Sequence, residues 1–226
     1  MNDTIHINLG AYQTDSHYVG TYTVRIWSHL LASINWIFKN PIPGNYLVQH
    51  GISMTIINNI AIVVEGFVAD ICWNYVNHRD HLKCLIDGTL DRMTWQKKKE
   101  LYNNLFAKGI ESYYGFEGIS ALINFRNNLA HGRTYTELVK REIAGSVVSE
   151  IETENKVYQN LRDYLISKGI LKSENISSNS EVPWKIETAC HFVGLAKHFM
   201  QNILRDNESD NKLAIESEFK LALDLN

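Results

Sequence analysis

The sequence predicts an all-α fold, a bundle of long antiparallel helices. Two observations carry this prediction. The 226 residues include only 3 Pro and 13 Gly, too few for a turn-rich β-sandwich, and apolar side chains recur at helical spacing. A content of 45% hydrophobic and 21% charged residues is typical of a globular protein with a sizeable core. We expect one domain over residues 1–205, followed by an acidic, polar extension over residues 206–226.

The first predicted helix has its cap at Thr14 or Asp15 and ends at about Asn40, where Pro41 and Pro43 stop it. Its apolar stripe at helical spacing consists of Val19, Tyr22, Ile26, Leu30, Ile34 and Phe38.

The second predicted helix begins at Gly44-Asn45 and continues through Tyr75. Apolar residues cover more than one of its sides, so we expect it to be the buried central helix of the bundle. Its polar interruptions are Asn58, Asn59, Glu65 and Asp70. Carboxylates in the middle of the apolar run favour a core helix over a membrane span, and we expect no membrane association.

The third and fourth predicted helices are marked by their ends. Thr94 caps a helix that closes at Lys108-Gly109, a basic last turn followed by a glycine. The fourth helix runs from about residue 116 to His131-Gly132, which is again a glycine C-cap.

An ambiguous segment, residues 134–152, precedes the last predicted helices. Apolar residues recur there every four positions, which favours a helix, whereas Gly145 and the β-branched neighbours leave a hairpin open. Helices then follow near residues 153–168, ended by Gly169, and near residues 183–205.

The formal net charge of −3 is concentrated at the end of the chain. Residues 206–226 hold six acidic and two basic side chains, and the rest of the chain holds 20 basic and 19 acidic ones. A strongly basic, sequence-independent nucleic-acid binder is therefore disfavoured, because neutralising phosphates needs a cationic excess. Brief RNA contact limited to a local cleft is still compatible with this charge.

The cysteines and the N-terminus indicate a cytoplasmic protein. Cys72, Cys84 and Cys190 form no C-x-x-C pair, so neither a disulfide framework nor a thiolate zinc site is implied. Cys72 and Cys190 fall in apolar helical runs, which predicts small core residues. The first residues lack the basic start and apolar run of a signal peptide. We expect no metal and no cofactor.

The fourth helix contains a pair of residues suited to catalysis. At about 100° per residue, Arg126 falls within about 40° of Leu122, on the apolar stripe of the helix, where a guanidinium needs a partner. His131 follows in the last turn, where the helix C-terminus favours the protonated imidazole. Arg126 and His131 thus combine a fixed cation with a group that exchanges protons near neutral pH.

The run Arg126-Asn127-Asn128-Leu129-Ala130-His131-Gly132 resembles the signature of the HEPN superfamily. Members are small α-helical domains with an R-x(4–6)-H motif, often RN-x-x-x-H, at the end of a late helix, and Asn127 matches the polar residue that commonly follows the arginine. The resemblance covers about residues 15–135, and its specific part is about eight residues long. It implies a HEPN-like bundle and, as in many members, a metal-independent endoribonuclease with a role in a toxin–antitoxin pair or in antiphage defence.

These residue types suit RNA cleavage. RNA supplies its own nucleophile, the 2′-hydroxyl, so the protein needs only a proton acceptor, a proton donor and charge stabilisation. His131 can exchange the proton, Arg126 can hold the phosphate oxygens, and Asn127 can orient the histidine or contact the phosphate. We therefore expect Arg126 and His131 to be catalytic, with RNA as the substrate.

The spacing of the motif raises a difficulty. Positions five apart on a helix differ by about 140°, so Arg126 and His131 do not share a face. The HEPN resemblance implies a remedy, a homodimer in which both motifs line one composite cleft. It also implies an antitoxin protein as a further partner.

Glu65, an acid in the middle of the apolar second helix, is the other supporting residue. HEPN domains often carry a polar or acidic residue in an early helix that faces the motif arginine. Pairing of Glu65 with Arg126 fits that role, and it equally fits a structural buried ion pair. The alternative function is a catalytically inactive HEPN helical module that binds a protein partner or a ligand.

Overall fold

The computed structural model confirms the all-α fold. The part of the chain that it describes consists of residues 10–14, 17–21, 25–42, 44–77, 79–85, 93–130, 137–141, 149–153, 156–171, 184–206 and 212–223. Within these ranges lie seven α-helices: α1 (Ile26–Lys39), α2 (Tyr46–Asn77), α3 (Trp95–Leu105), α4 (Phe116–Ala130), α5 (Lys156–Ser167), α6 (Ile186–Asp206) and α7 (Lys212–Leu223). Short 3₁₀ helices lie at Asp80–Leu85 and Ile110–Ser112.

The four strands found among the described residues form two separate two-stranded antiparallel ribbons. In the first ribbon, β1 (Gly10–Thr14) pairs with β2 (His17–Thr21). In the second ribbon, β3 (Glu137–Arg141) pairs with β4 (Ser149–Thr153).

Helix α2 is the central helix of the bundle, as its broad apolar surface predicts. It packs against α1, α3, α4 and α6, and side chains such as Ile60, Phe67 and Ile71 are fully buried. By length and composition α2 is also apolar enough to cross a membrane, a test that the core helix of a soluble bundle passes as well. Half of its most apolar 18-residue window is buried inside the protein.

The predicted start of the first helix at Thr14 or Asp15 is wrong. Residues 10–14 and 17–21 form the β1–β2 ribbon, and α1 begins only at Ile26, with Arg25 as its N-cap. The run from His17 to Val24 is rich in aromatic and β-branched residues, which favour an extended backbone over a helix. The buried apolar face of α1 is also displaced from the predicted stripe: Ile26 is 67% exposed. Its buried apolar residues are Trp27, Leu31 and Ile34.

The described residues of the ambiguous segment 134–152 form paired antiparallel strands rather than a helix. Val139 lies opposite Ile151 in the β3–β4 register. β-branched residues and Gly145 weaken a helix here, and the two described residues of the four-residue apolar spacing, Val139 and Ile151, pair across two strands instead of sharing a helix face.

The helix ends agree with the sequence prediction in part. The Thr94 hydroxyl accepts a hydrogen bond from the Lys97 amide, which confirms Thr94 as the cap of α3. Gly169 has a φ of +69°, a left-handed conformation that suits a glycine after α5. Helix α3, however, ends at Leu105, three residues before the predicted basic turn. The predicted end of α4 at His131-Gly132 lies outside the described residues.

The acidic segment 206–226, expected as a polar extension, contains a helix that packs on the bundle. Helix α7 contacts α1 and buries Ile215, Phe219 and Ala222. The Glu218 carboxylate of α7 pairs with the Arg25 guanidinium, which also binds Asp70 of α2 at 2.6 Å. Although the segment carries a net negative charge, its apolar residues recur at helical spacing and form one face of a helix. This face accounts for the packing.

The cysteine prediction is correct for Cys72 and wrong for Cys190. Cys72 is fully buried in α2, and burial raises the pKa of its thiol to about 12. Cys190 lies on the exposed side of α6, between the buried Ala189 and the half-buried His191.

Candidate functional site

Helix α4 presents the first half of the R-x(4)-H motif against the central helix. Its buried face, formed by Ile119, Leu122 and Ile123, packs toward α2, and Arg126 follows one turn after Leu122 on the same face. The Arg126 side chain is 18% exposed. The guanidinium is therefore held at the edge of the core rather than in open solvent.

Arg126 and Glu65 form an ion pair between α4 and α2. The Nη2 of Arg126 donates to the Oε2 of Glu65, whose side chain is 13% exposed. The structure thus brings together the two charged residues that the sequence places in apolar surroundings. Each compensates the cost of removing the other from water, so the pair holds the arginine at a fixed position.

The Nε side of the Arg126 guanidinium has no partner among the described residues. The Nε atom itself is buried. An unpaired buried donor is destabilising, and in native proteins it is uncommon enough to require an explanation such as a functional role. The guanidinium therefore keeps donor capacity beyond its contact with Glu65.

The remaining motif residues are described only in part. Asn127 is exposed and immediately follows Arg126 on α4. His131 lies outside the described residues, so its catalytic role stays a prediction.

A groove missed by the sequence analysis lies between α4 and α5, on the side of α4 away from Arg126. Its volume is about 590 Å³. The residues that define this α4–α5 groove include Phe116, Glu117, Ser120 and Asn124 of α4, and Asn160, Asp163 and Tyr164 of α5. The signal that predicts it is the polar spacing of Glu117, Ser120 and Asn124, which places a polar stripe on the side of α4 away from its apolar one.

Tyr164 is fixed at the groove by contacts on two sides. Its Oη lies 3.1 Å from the Nε2 of His191 on α6. Gly118 permits this approach, because a Cβ at that position would lie 2.2 Å from the Tyr164 Oη. Burial, with a smaller contribution from Glu117, raises the pKa of the Tyr164 hydroxyl to about 12. Burial and the nearby Lys168 lower the pKa of His191. At neutral pH the hydrogen bond therefore joins two uncharged groups.

No group of three or more His, Cys, Asp or Glu side chains with metal-binding geometry occurs among the described residues. Comparison with family models, with curated proteins and with solved structures finds no match to this chain.

Proposed function

We propose that this protein is a metal-independent endoribonuclease of the HEPN type that acts as a cytoplasmic homodimer. The observation that carries the proposal is the half-buried Arg126 guanidinium, held by Glu65 and with an Nε that has no partner in the described part of the chain, five residues before His131. A guanidinium in this environment is preorganised for a phosphate, since its direction is set before the substrate arrives.

The proposed reaction uses the RNA 2′-hydroxyl as the nucleophile. As its oxygen bonds to the adjacent phosphorus, its proton passes to the catalytic base, and the bond from phosphorus to the 5′-oxygen breaks. The leaving 5′-oxygen takes up a proton, which yields a 2′,3′-cyclic phosphate and a 5′-hydroxyl. His131 is proposed to exchange these protons, while Arg126 stabilises the charge that develops on the phosphate oxygens. Asn127, exposed beside Arg126, is positioned for a further contact with the phosphate or the histidine.

A homodimer fits this chemistry because positions five apart on an ideal helix differ by about 140°, so the Arg126 and His131 of one motif are not expected to share a face. Two protomers with facing motifs would double the local positive charge in a near-neutral bundle. A role in a toxin–antitoxin pair or in antiphage defence, with an antitoxin as partner, belongs to the proposal through the HEPN resemblance alone.

The proposal predicts RNA cleavage in the presence of EDTA. The substitutions Arg126→Ala and His131→Ala should each lower the cleavage rate by about 100-fold or more, because each removes charge stabilisation or proton transfer from the transition state. The readout is the rate of product formation from several labelled RNAs, together with detection of the cyclic phosphate end.

Matched controls are available on α6, where Arg205 and His198 are exposed. Arg205→Ala and His198→Ala should leave the rate unchanged. Absence of cleavage by fresh wild-type protein on all RNAs contradicts the proposal, and cleavage that survives both motif substitutions moves the active site elsewhere.

A second candidate function is favoured by the same ion pair. Because Glu65 partly neutralises Arg126, the contact equally suits a catalytically inactive HEPN module in which the arginine joins α4 to α2. In that case Arg126→Ala would lower stability, and the wild-type protein would cleave no RNA.

A further inference from the structure

The first two turns of α2 expose an apolar surface at one end of the bundle. None of the side chains of residues 46–52 is buried, and the buried residues of α2 begin only at Ser53. Leu47 is 76% exposed. Residues 40–45 connect α1 to α2 at this end, so the last turn of α1 lies there as well. The large apolar side chains exposed at this apolar end are Trp36 of α1 and Tyr46, Leu47, Val48 and Met54 of α2.

Gly51 lies between Leu47 and Met54 without a packing reason inside the protomer. A Cβ at this position would have no heavy atom of the described residues within 4 Å. Glycine inside a helix is unfavourable, because its backbone loses more conformational entropy on folding than that of other residues. On an ideal helix Gly51 falls within about 60° of both Leu47 and Met54. A glycine on this face leaves room for a second backbone to approach closely.

The apolar end carries almost no charge. Residues 16–64 include no acidic residue, and their only Lys or Arg side chains are Lys39 and Arg25, the latter bound to Asp70 and Glu218. A two-fold interface places the same patch on both partners, so a patch without like charges can pair with itself. A single lysine gives little attraction for anionic lipid headgroups, whose binding draws on clusters of cations.

The exposed apolar area matches one half of a dimer interface. The five side chains of the apolar end together expose an area on the order of 500 Å². A standard interface buries about 800 Å² on each partner, of which about 60% is apolar. The apolar end, surrounded by a polar rim of ordinary proportion, therefore supplies the area that a stable dimer needs.

The same face of α2 continues to the ion pair of the motif. Leu47 and Glu65 are 18 residues apart, which is five full turns, so they lie on one line along an ideal helix. Met54 and Asn58 fall within about 20° of that line. This face is exposed at Leu47 and Met54, whereas at Glu65 it is covered by Arg126 of α4. A chain that packs on the exposed part therefore borders the Arg126–Glu65 pair.

We infer that the face of α2 around Leu47, Gly51 and Met54 is the surface on which a second copy of this chain packs, an inference that rests on the homodimer of the proposed function. The two copies meet across a two-fold axis, with Leu47 and Met54 at the centre of the contact. Because this face continues to the Arg126–Glu65 pair, both motifs border the same interface.

Sedimentation velocity of the full chain tests this surface without RNA. Wild-type protein should sediment as a dimer at micromolar concentration. Leu47→Glu places a carboxylate at the centre of the contact and should raise the dimer dissociation constant by at least about 30-fold, because like charges then face each other across the axis. The matched control Leu213→Glu makes the same substitution on α7, where the leucine is 82% exposed, and should leave the dissociation constant unchanged.

A second variant separates loss of the contact from loss of the fold. Gly51→Gln should also raise the dissociation constant by at least about 30-fold, because its side chain fills the space that the second backbone occupies. It should keep the helical circular dichroism of the wild-type protein, since no described heavy atom lies within 4 Å of its Cβ and Gln is a better helix former than Gly.

Wild-type protein that is monomeric at every concentration overturns the inference, and so does a dimer that both Leu47→Glu and Gly51→Gln leave intact. Binding of a monomer to phosphatidylserine vesicles through Leu47 would assign the face to lipid and likewise overturns it.

RNA cleavage separates this inference from the ribonuclease proposal. A dimer that both variants dissociate, formed by a protein that cleaves no RNA, supports the surface and overturns the ribonuclease proposal. Cleavage that is lost together with the dimer supports both. Cleavage that persists in the monomeric variants supports the surface and contradicts the composite cleft.

Discussion

Arg126 and Glu65 each place a charge on an apolar helix face, where a charged side chain needs an ion-pair partner. Each is on a helix face that is otherwise buried, and each has the other as its ion-pair partner. A salt bridge of this kind adds little net stability over an apolar pair, but the loss of one partner leaves a charge that is neither hydrated nor compensated.

Removal of both partners should therefore cost less than the sum of the two single removals. Glu65→Gln and Arg126→Met should each lower the free energy of unfolding by about 1–3 kcal/mol, a range below that of a fully buried pair because both side chains retain some exposure. In the double variant the loss should be smaller than the sum by about 1 kcal/mol or more. Urea denaturation of the four proteins measures this coupling.

The matched control is Glu216→Gln on α7, where Glu216 lies 4.0 Å from Lys212 in a pair that is more exposed than Arg126 and Glu65. It should change stability by less than about 0.5 kcal/mol. Strictly additive effects of Glu65→Gln and Arg126→Met would show that the pair makes no specific contribution.

The sequence predicts the pairing of Arg126 with Glu65 but not the α4–α5 groove, because only the first depends on positions along single helices. A charge on an apolar stripe requires a partner, and few charged residues occupy such positions, so the spacing alone nominates Glu65 and Arg126. Tyr164 and Asp163 belong to a helix whose position beside α4 is set by packing, which the spacing along one helix does not specify.

At the scale of elements, α4 makes different contacts on its two sides. One side packs on α2 and holds Arg126, and the other faces the groove. Its distance from α5 is set at Gly118, where the absence of a side chain lets the Tyr164 ring lie against the helix. Small residues are required at such points because interiors are close-packed.

Gly118→Ala should destabilise the protein by about 1–3 kcal/mol, because its Cβ would lie 2.2 Å from the Tyr164 Oη and 2.7 Å from the Leu195 Cδ2. The matched variant Gly194→Ala places a methyl group where no heavy atom lies within 4 Å. It should raise stability by about 0.5–1 kcal/mol through helix propensity. Thermal unfolding of both variants tests this, and equal shifts in Tm would contradict the close approach.

At the scale of the whole molecule, α7 closes the bundle over α1. Its apolar residues are buried against that helix, and Glu218 joins Arg25 and Asp70 in one ionic cluster. The Asn35 side chain adds a hydrogen bond to the backbone oxygen of Ala222 and accepts one from Lys197 of α6 at 2.7 Å. The last helix is thereby connected to both α1 and α6.

If α7 unfolds together with the bundle, Phe219→Ala should lower the free energy of unfolding by about 3 kcal/mol, because it leaves a cavity at a side chain that is 3% exposed. Leu221→Ala on the same helix, where the leucine is 55% exposed, should change it by less than about 0.5 kcal/mol. Chemical denaturation should show a lower midpoint with an unchanged slope for Phe219→Ala. An unchanged midpoint would mean that α7 is an independent appendage.

The sequence by itself determined the helical class, the central position of α2 and the residues of the motif, because composition and apolar periodicity are local properties of the chain. It did not determine the β1–β2 ribbon, the docking of α7 or the α4–α5 groove. These features depend on which surfaces meet after folding. The acidic segment that contains α7 can still bury one apolar face. The polar stripe of α4 lines a groove only because α5 lies beside it. Tertiary structure decided them because packing, rather than local propensity, fixes the distances between elements.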